Sequence, residues 1–380
     1  MADPSERIRR EVRRIEPSHD AFERTLRRVR RRRSRRRLGA GAIGIMLTIG
    51  LAAGLWASLR QARQPAATPS PTRDPLSGDR LVLAGDGELW VVDVDTASTR
   101  RFDMPELSPG DAPHRIARRD GKLVAWGYRT LVLDPDVDFR SSVLVRDSLV
   151  FLPSAVEDRV WVGIPDRDNP DTACLQAVRE ITVQGEVTVP DTMPPGCRWP
   201  LAAVLEGLVF QTRENTIEVW DPASGEVVRT LPGVSPLAWQ GHRLAWCDAR
   251  CEEAHITDFS SGSDRVIPLP EGIYDFQGYE GAFSPDGSAL ALVGLTEQEF
   301  ARADGQLVVV DVASGQAEAV PGAVVRPVYH FVDWSPSGES VFLTGGARSE
   351  QRQVVEYVPK GGIVRVLPTE VGDFFDMAAI

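Results

Sequence analysis

From Gly78 onward the chain repeats one pattern: short runs rich in Val, Leu, Trp and Phe, separated by clusters of Gly, Pro, Asp and Ser. Short apolar runs bounded by such residues read as strands and tight turns. Two stretches repeat in detail. Ala282-Phe283-Ser284-Pro285-Asp286-Gly287 leads into SALALVG and QLVVVDVASGQAEAV. Asp333-Trp334-Ser335-Pro336-Ser337-Gly338, about 50 residues later, leads into ESVFLTGG and QVVEYVPKGGIVRVL. Each unit predicts a strand, an SPxG turn, a strand, a loop, a strand ending in Asp or Pro, a Gly turn and a last strand. Proline fixes φ and glycine accepts φ > 0, so Ser284–Gly287 and Ser335–Gly338 can reverse the chain tightly.

With that template, degenerate copies stand out at Arg80–Phe102, Gly207–Leu231 and His242–Leu269. Weaker ones begin at Lys122 (KLVAWG, then TLVLDP) and Ser148 (SLVFLP, then DRVWVGI). Seven units of about four strands predict an all-β, seven-bladed β-propeller, with six or eight blades left open. A lone four-stranded sheet cannot bury both faces and therefore stacks radially with others. The first unit lacks an innermost strand, whereas Asp373–Ile380 is left over after the seventh. Unpaired edges are a liability. Phe374–Ile380 is therefore expected beside Arg80–Ala84 as the innermost strand of the first blade.

Phe283-Ser-Pro-Asp-Gly287, Trp334-Ser-Pro-Ser-Gly338 and the recurring VVDVASG resemble the TolB-type, WD-repeat-like β-propeller over roughly Gly78 to Ile380. With its basic tail, apolar segment and linker, the whole chain resembles membrane-anchored propeller proteins of actinobacteria. The resemblance implies the fold and leaves the activity open, because propellers host many functions.

The segment Leu38–Leu59 contains no charged residue in 22 positions and follows seven arginines in the eight residues Arg30–Arg37. As a helix it would reach about 33 Å, enough for a hydrocarbon core of ~30 Å. The arginines predict a cytoplasmic 1–37 and an extracytoplasmic domain at 78–380. A cleaved signal peptide is the rival. It is disfavoured by the length of the run and by large residues at the candidate cleavage sites near Leu55 and Trp56. Gly50, Gly54 and Ser58 carry a weak small-residue spacing for helix pairing. Residues 60–77, rich in Pro, Ala, Ser and Thr, read as a linker. In 1–37, Ile8, Val12 and Ile15, then Phe22, Leu26 and Val29, suggest two short basic helices separated at Pro17-Ser18.

Charge divides the same way. The net −11 combines +9 over residues 1–37 with −20 over the remainder. The acidic part argues against nucleic acid as a partner, and the basic part suits a membrane surface. All four cysteines fall in the outer part. Disulfides Cys174–Cys197 and Cys247–Cys251 are the simplest assignment. A metal alternative, Cys247, Cys251 and His255 with Asp248 or Glu252, lacks the usual zinc spacing. No metal, cofactor or catalytic residue is expected.

The sequence holds no GxSxG, HExxH, phosphate loop or GxGxxG after a strand. Outside 1–37 the histidines are His114, His242, His255 and His330, scattered over four units. Asp93, Asp134, Asp221 and Asp311 recur at one turn of the repeat, where they either cap the turn or form a cation-binding ring; turn capping is the ordinary role. Trp90, Trp126, Trp161, Trp220, Trp239, Trp246 and Trp334 sit in strand patterns, as blade packing requires. The insertions Pro165–Gln176, Asp191–Trp199 and Leu295–Gly305 break the rhythm and are the expected recognition surface. The reading that follows is a non-enzymatic extracytoplasmic module, anchored in the cell membrane by a single span, that binds a protein or an envelope glycan. The alternatives are a transmembrane regulator coupled to a cytosolic partner, and a hydrolase or lyase working in the axial channel.

Overall fold

The computed structural model describes residues 79–380 except 86–87, 104–114, 127–128, 138, 147–149, 166–174, 197, 213, 234, 249–250, 277–280, 298–303, 326–330, 346–352 and 368–373. The basic segment, the apolar stretch Leu38–Leu59 and the linker lie outside the described residues, as do Cys174, Cys197, His114 and His330. Among the described residues no helix is long and apolar enough to cross a membrane.

Seven antiparallel sheets account for nearly all of the described chain, broken only by two single-turn 3-10 segments, Pro135–Val137 and Pro359–Gly361. Blades 2, 3, 4, 5 and 7 each follow chain order from the axis outward, starting at Arg115–Arg119, Val150–Pro153, Pro200–Val204, Ser235–Gln240 and Phe331–Trp334. In blade 6 the innermost position is shared by Asp275–Phe276 and Ala282–Phe283, both paired with Ala289–Leu295.

Blade 1 is built from both ends of the described chain. Phe374–Ala379 pairs antiparallel with Arg80–Gly85, setting Leu83 against Met377 and Val82 against Ala378. Arg80 and Ile380 exchange two backbone bonds at 2.9 and 2.8 Å. The leftover C-terminal segment therefore closes the ring.

The buried residues form seven separate clusters, one at each blade–blade contact. Along Arg80–Gly85 the side chains alternate: Leu81 and Leu83 pack toward blade 7 with Phe342 and Val354, whereas Val82 and Ala84 pack toward blade 2 with Leu123 and Leu133. A period of two sends successive side chains to opposite faces. Because both faces are covered, the second strand of each blade reads as a continuous apolar run. That explains LVLA, LVAW, LVF and ALALVG in the sequence. The tryptophans belong to the same packing. Trp90, Trp161, Trp220, Trp246 and Trp334 are buried between blades, and Trp126 and Trp239 rest against the clusters at their edges.

One unit of the repeat differs from the sequence expectation. Aligned on KLVAWG, Ser148–Pro153 should be a second strand and Arg159–Pro165 a third. In the structure Val150–Pro153 is the innermost strand, Arg159–Pro165 the second and Leu175–Thr182 the third. The frame slips by one strand because the second-to-third connection here is long, so that two strands on one side of it mimic the pair that elsewhere straddles a short loop.

Candidate functional site

Strand direction sorts the connections onto two faces. Links from first to second strand and from third to fourth leave one face, and the longest of them, between Trp334 and Val341, has six residues. Several of these links are held by their own side chains. Ser284 Oγ donates to Asp286 Oδ1 at 2.6 Å and accepts from Ala289 N at 2.9 Å, and Gly287 closes the turn at φ 70°. Ser335 Oγ accepts from Ser340 N at 3.0 Å, with Gly338 at φ 73°.

The recurring aspartates act in the same way. Asp93 accepts from Thr96 N at 2.7 Å, Asp134 from Asp136 N at 3.0 Å, Asp221 from Ala223 N at 2.9 Å, and Asp311 from Ser314 N at 2.6 Å. Hydrogen bonds to the charged form hold Asp93, Asp221 and Asp311 below the usual carboxylate range. They are turn caps. Asp258, not singled out in the sequence, has the same role through Ser260 and Ser261.

The opposite face carries the links between blades and those from second to third strand. All three insertions emerge there. Pro165–Gln176 joins the second and third strands of blade 3, Leu295–Gly305 does so in blade 6, and Asp191–Trp199 leads from blade 3 to blade 4. The strands Thr99–Asp103 and Arg115–Arg119, Val341–Gly345 and Gln353–Val358, and Ile363–Leu367 and Phe374–Ala379 also meet this face at their facing ends. We call it the wide-loop face.

Between the faces runs an axial channel of about 660 Å³, lined by the innermost strands of all seven blades. Its polar groups are unevenly distributed. Arg115–Arg119 (RIARR) brings Arg115, Arg118 and Arg119 to the wall of blade 2. Arg115 lies at the wide-loop end of its strand, across from Trp126, with its guanidinium 5.7 Å from the centre of the Phe331 ring.

Blades 7 and 1 contribute Asp333 and Asp376. Asp333 accepts from Trp334 N at 2.8 Å and from Ala379 N of the next blade at 2.9 Å. Asp376 accepts from Met377 N at 2.9 Å and from Ile116 N of the next blade at 2.8 Å. Each carboxylate thus links its own strand to the neighbouring innermost strand, on either side of the closing segment. Burial pushes both up to about 6, against the pull of the nearby amides and arginines. Each of the four oxygens takes one backbone amide, so the pair latches the ring on both sides of the closing strand.

The cysteine alternatives separate. Cys247 and Cys251 form a disulfide, leaving no thiolate for a metal. His255 instead stacks on Trp246, ring centres 4.1 Å apart, and bonds Asp264 at 3.0 Å. Thr257 joins the network, accepting from Trp246 Nε1 and donating to Asp264. His242 pairs with Glu206 at 2.6 Å on the short-turn face. The two described histidines are not brought together.

Asp333 entered the sequence reading only as part of a turn motif, and Arg115, Arg118, Arg119 and Asp376 not at all. The available signal was three arginines in five residues at a position where the other units are apolar.

No protein-family model matches the chain, and no curated protein matches it by sequence. Solved structures do resemble it. A candidate 6-phosphogluconolactonase from Bacteroides fragilis superposes with a TM-score of 0.52 at 10% identity, covering 81% of this chain and 99% of the other. The dihydro-heme d1 dehydrogenase NirN gives 0.51 at 13%, covering 84% and 78%. TolB from Acinetobacter baumannii gives 0.47 at 13%, covering 82% and 68%. The fold is a seven-bladed β-propeller, and TolB and WD40 propellers are among the structures it resembles. At these identities the likeness is one of fold alone.

Proposed function

We propose that this propeller is a non-enzymatic binding module on the outer side of the cell membrane, anchored through Leu38–Leu59, that engages a protein or glycan of the envelope through its wide-loop face. The observation that supports it most is the asymmetry of the links. Every connection between strands longer than six residues leaves one face, while those of the other have two to six residues, several of them capped by their own Ser, Thr or Asp side chains. Binding residues concentrate on loops held by a rigid scaffold, and seven interlocked blades are such a scaffold.

The test uses the full-length chain and a variant in which 166–174 and 298–303 are each replaced by a short Gly/Asn turn. Capture of the same envelope component by the parent, lost in a variant that melts at the parent temperature, is the expected result. Equal capture by both would move the site elsewhere. Protease added to intact cells should destroy a C-terminal epitope and spare an N-terminal one; the reverse pattern would sink the anchoring. Deleting residues 1–37 without loss of any cytosolic partner is expected here, whereas loss of a specific partner would favour the transmembrane regulator.

A further inference from the structure

We propose that the axial channel is a binding site for a small oxyanion, a carboxylate or phosphate group, held by Arg118 and Arg119 with Arg115 at its wide-loop entrance. This goes beyond the proposed function and stands whichever partner the wide-loop face takes.

The starting point is what it costs to place these arginines here. Removing a guanidinium from water is expensive unless a charge or a set of acceptors replaces the lost hydration. The other innermost strands avoid the cost. They read VFLP, PLAAV, SPLAWQ, DF with AF, FVDW and FFDMAA, and among the described residues blade 2 alone brings cations to the axis. The wall repays it only in part, through space: Asp333 acts on Arg118 and Arg119, and Asp376 on Arg115. Asp333 and Asp376 are the acidic residues of the lining, and their oxygens are taken by four backbone amides. Among the described residues neither Arg118 nor Arg119 has a carboxylate within ion-pairing distance. Arg119 donates through Nη1 to the Arg118 carbonyl at 3.2 Å, while its Nε is buried with no acceptor.

A buried donor without an acceptor points to something absent from the wall, and its sign follows from the charges. Three guanidinium groups share the wall with two carboxylates that burial raises only to about 6, so both are largely ionised at neutral pH and the lining keeps one positive charge in excess; Asp333 and, from outside the lining, Glu157 act on Arg119. Burial also pulls Arg119 down to about 10, which still leaves it protonated at neutral pH. The lining thus keeps a small positive excess inside a domain that is acidic overall. A cation would be disfavoured beside these arginines, and a neutral ligand would bring no charge to the Arg119 donor that lacks an acceptor. An oxyanion supplies paired acceptors in the geometry that a guanidinium fork matches. A volume of about 660 Å³ also lies within the range of small-ligand pockets, ~300–1,000 Å³.

The rival explanation is that the arginines serve only to offset the latch carboxylates at a distance. Titration of the purified full-length chain at low salt separates the two. Inorganic phosphate and glucuronate are titrated in separate calorimetric runs, with glucose as the neutral control. Saturable binding of at least one anion and none of glucose is expected, and the anion preferred tells whether the group is a phosphate or a carboxylate. R118Q and R119Q should each weaken that binding by at least about tenfold, as loss of a charged hydrogen bond does. R140Q, at an exposed arginine of an outer strand, should leave it unchanged. If R119Q does not fold, R118Q, partly exposed to the channel, decides. No saturable binding of either anion, or equal binding by the parent and R118Q, would overturn the proposal.

Discussion

Met377→Ala tests whether ring closure stabilises this domain. Met377 is the central residue of the closing strand, paired with Leu83 and buried among Leu81, Trp90, Val92, Phe342 and Leu367 at the contact between blades 1 and 7. It is 4% exposed. The substitution removes a buried thioether chain and leaves a cavity between two blades that cannot easily collapse, because each is braced by a further neighbour. Met→Ala at such sites costs about 2–5 kcal/mol. For a domain of this size each kcal/mol moves the melting temperature by about 2 °C, the lower end of the range for large domains. A loss of about 4–10 °C is therefore expected, read by differential scanning fluorimetry or calorimetry of the full-length chain. Met193→Ala, at a residue 74% exposed, is the control and should shift the midpoint by less than 1 °C. If Met377→Ala melts with the control, the C-terminal segment adds nothing to the ring, and closure as described is wrong.

Three further outcomes follow from the same packing. Asp333 and Asp376 are raised to about 6 in the folded state from the ordinary 3.8, so between about pH 4 and 6 the native state holds protons that the unfolded chain has released. Their contribution to stability therefore grows as pH falls through 6 and is lost as pH rises, by roughly 3 kcal/mol for one such group; melting curves should show a shallower slope from pH 4 to 6.5 in D333N/D376N than in the parent. Gly207 sits at φ 147°, and a Cβ there would overlap the Trp220 carbonyl oxygen, so Gly207→Ala should lower the melting temperature by several degrees, whereas Gly225→Ala, with open space around it, should cost only its turn strain. Replacing both Cys247 and Cys251 by Ala should cost about 2 kcal/mol, the loop-closure value for so short a ring; an unchanged denaturant midpoint would show that the bridge does not stabilise the domain.

What could be read without coordinates was whatever is local in the chain. Phe283–Gly287 and Trp334–Gly338 announce a tight turn because proline and glycine act on their own backbone. Asp221 and Asp311 announce a cap because their acceptors reach amides two or three residues on. A strand buried on both faces announces itself as an unbroken apolar run, so the number of blades follows from counting runs. Even closure was legible, as one strand missing at Arg80 and one left over after Leu367. The misplaced frame at Ser148–Pro153 shows the limit of this approach: a period is read from loop lengths, and the long link after Pro165 breaks it.

The channel lay beyond that reach. Arg115–Arg119, Asp333 and Asp376 come from blades 2, 7 and 1, separated by up to about 260 residues along the chain, and no local periodicity records that a ring brings them to one axis. Nor does composition reveal that the two carboxylates each bond two backbone amides while an arginine donor of the same wall has no acceptor. Local propensity determined the blades. Which charges meet at the centre was decided by the closing of the ring, because only radial stacking converts seven distant innermost strands into a single wall.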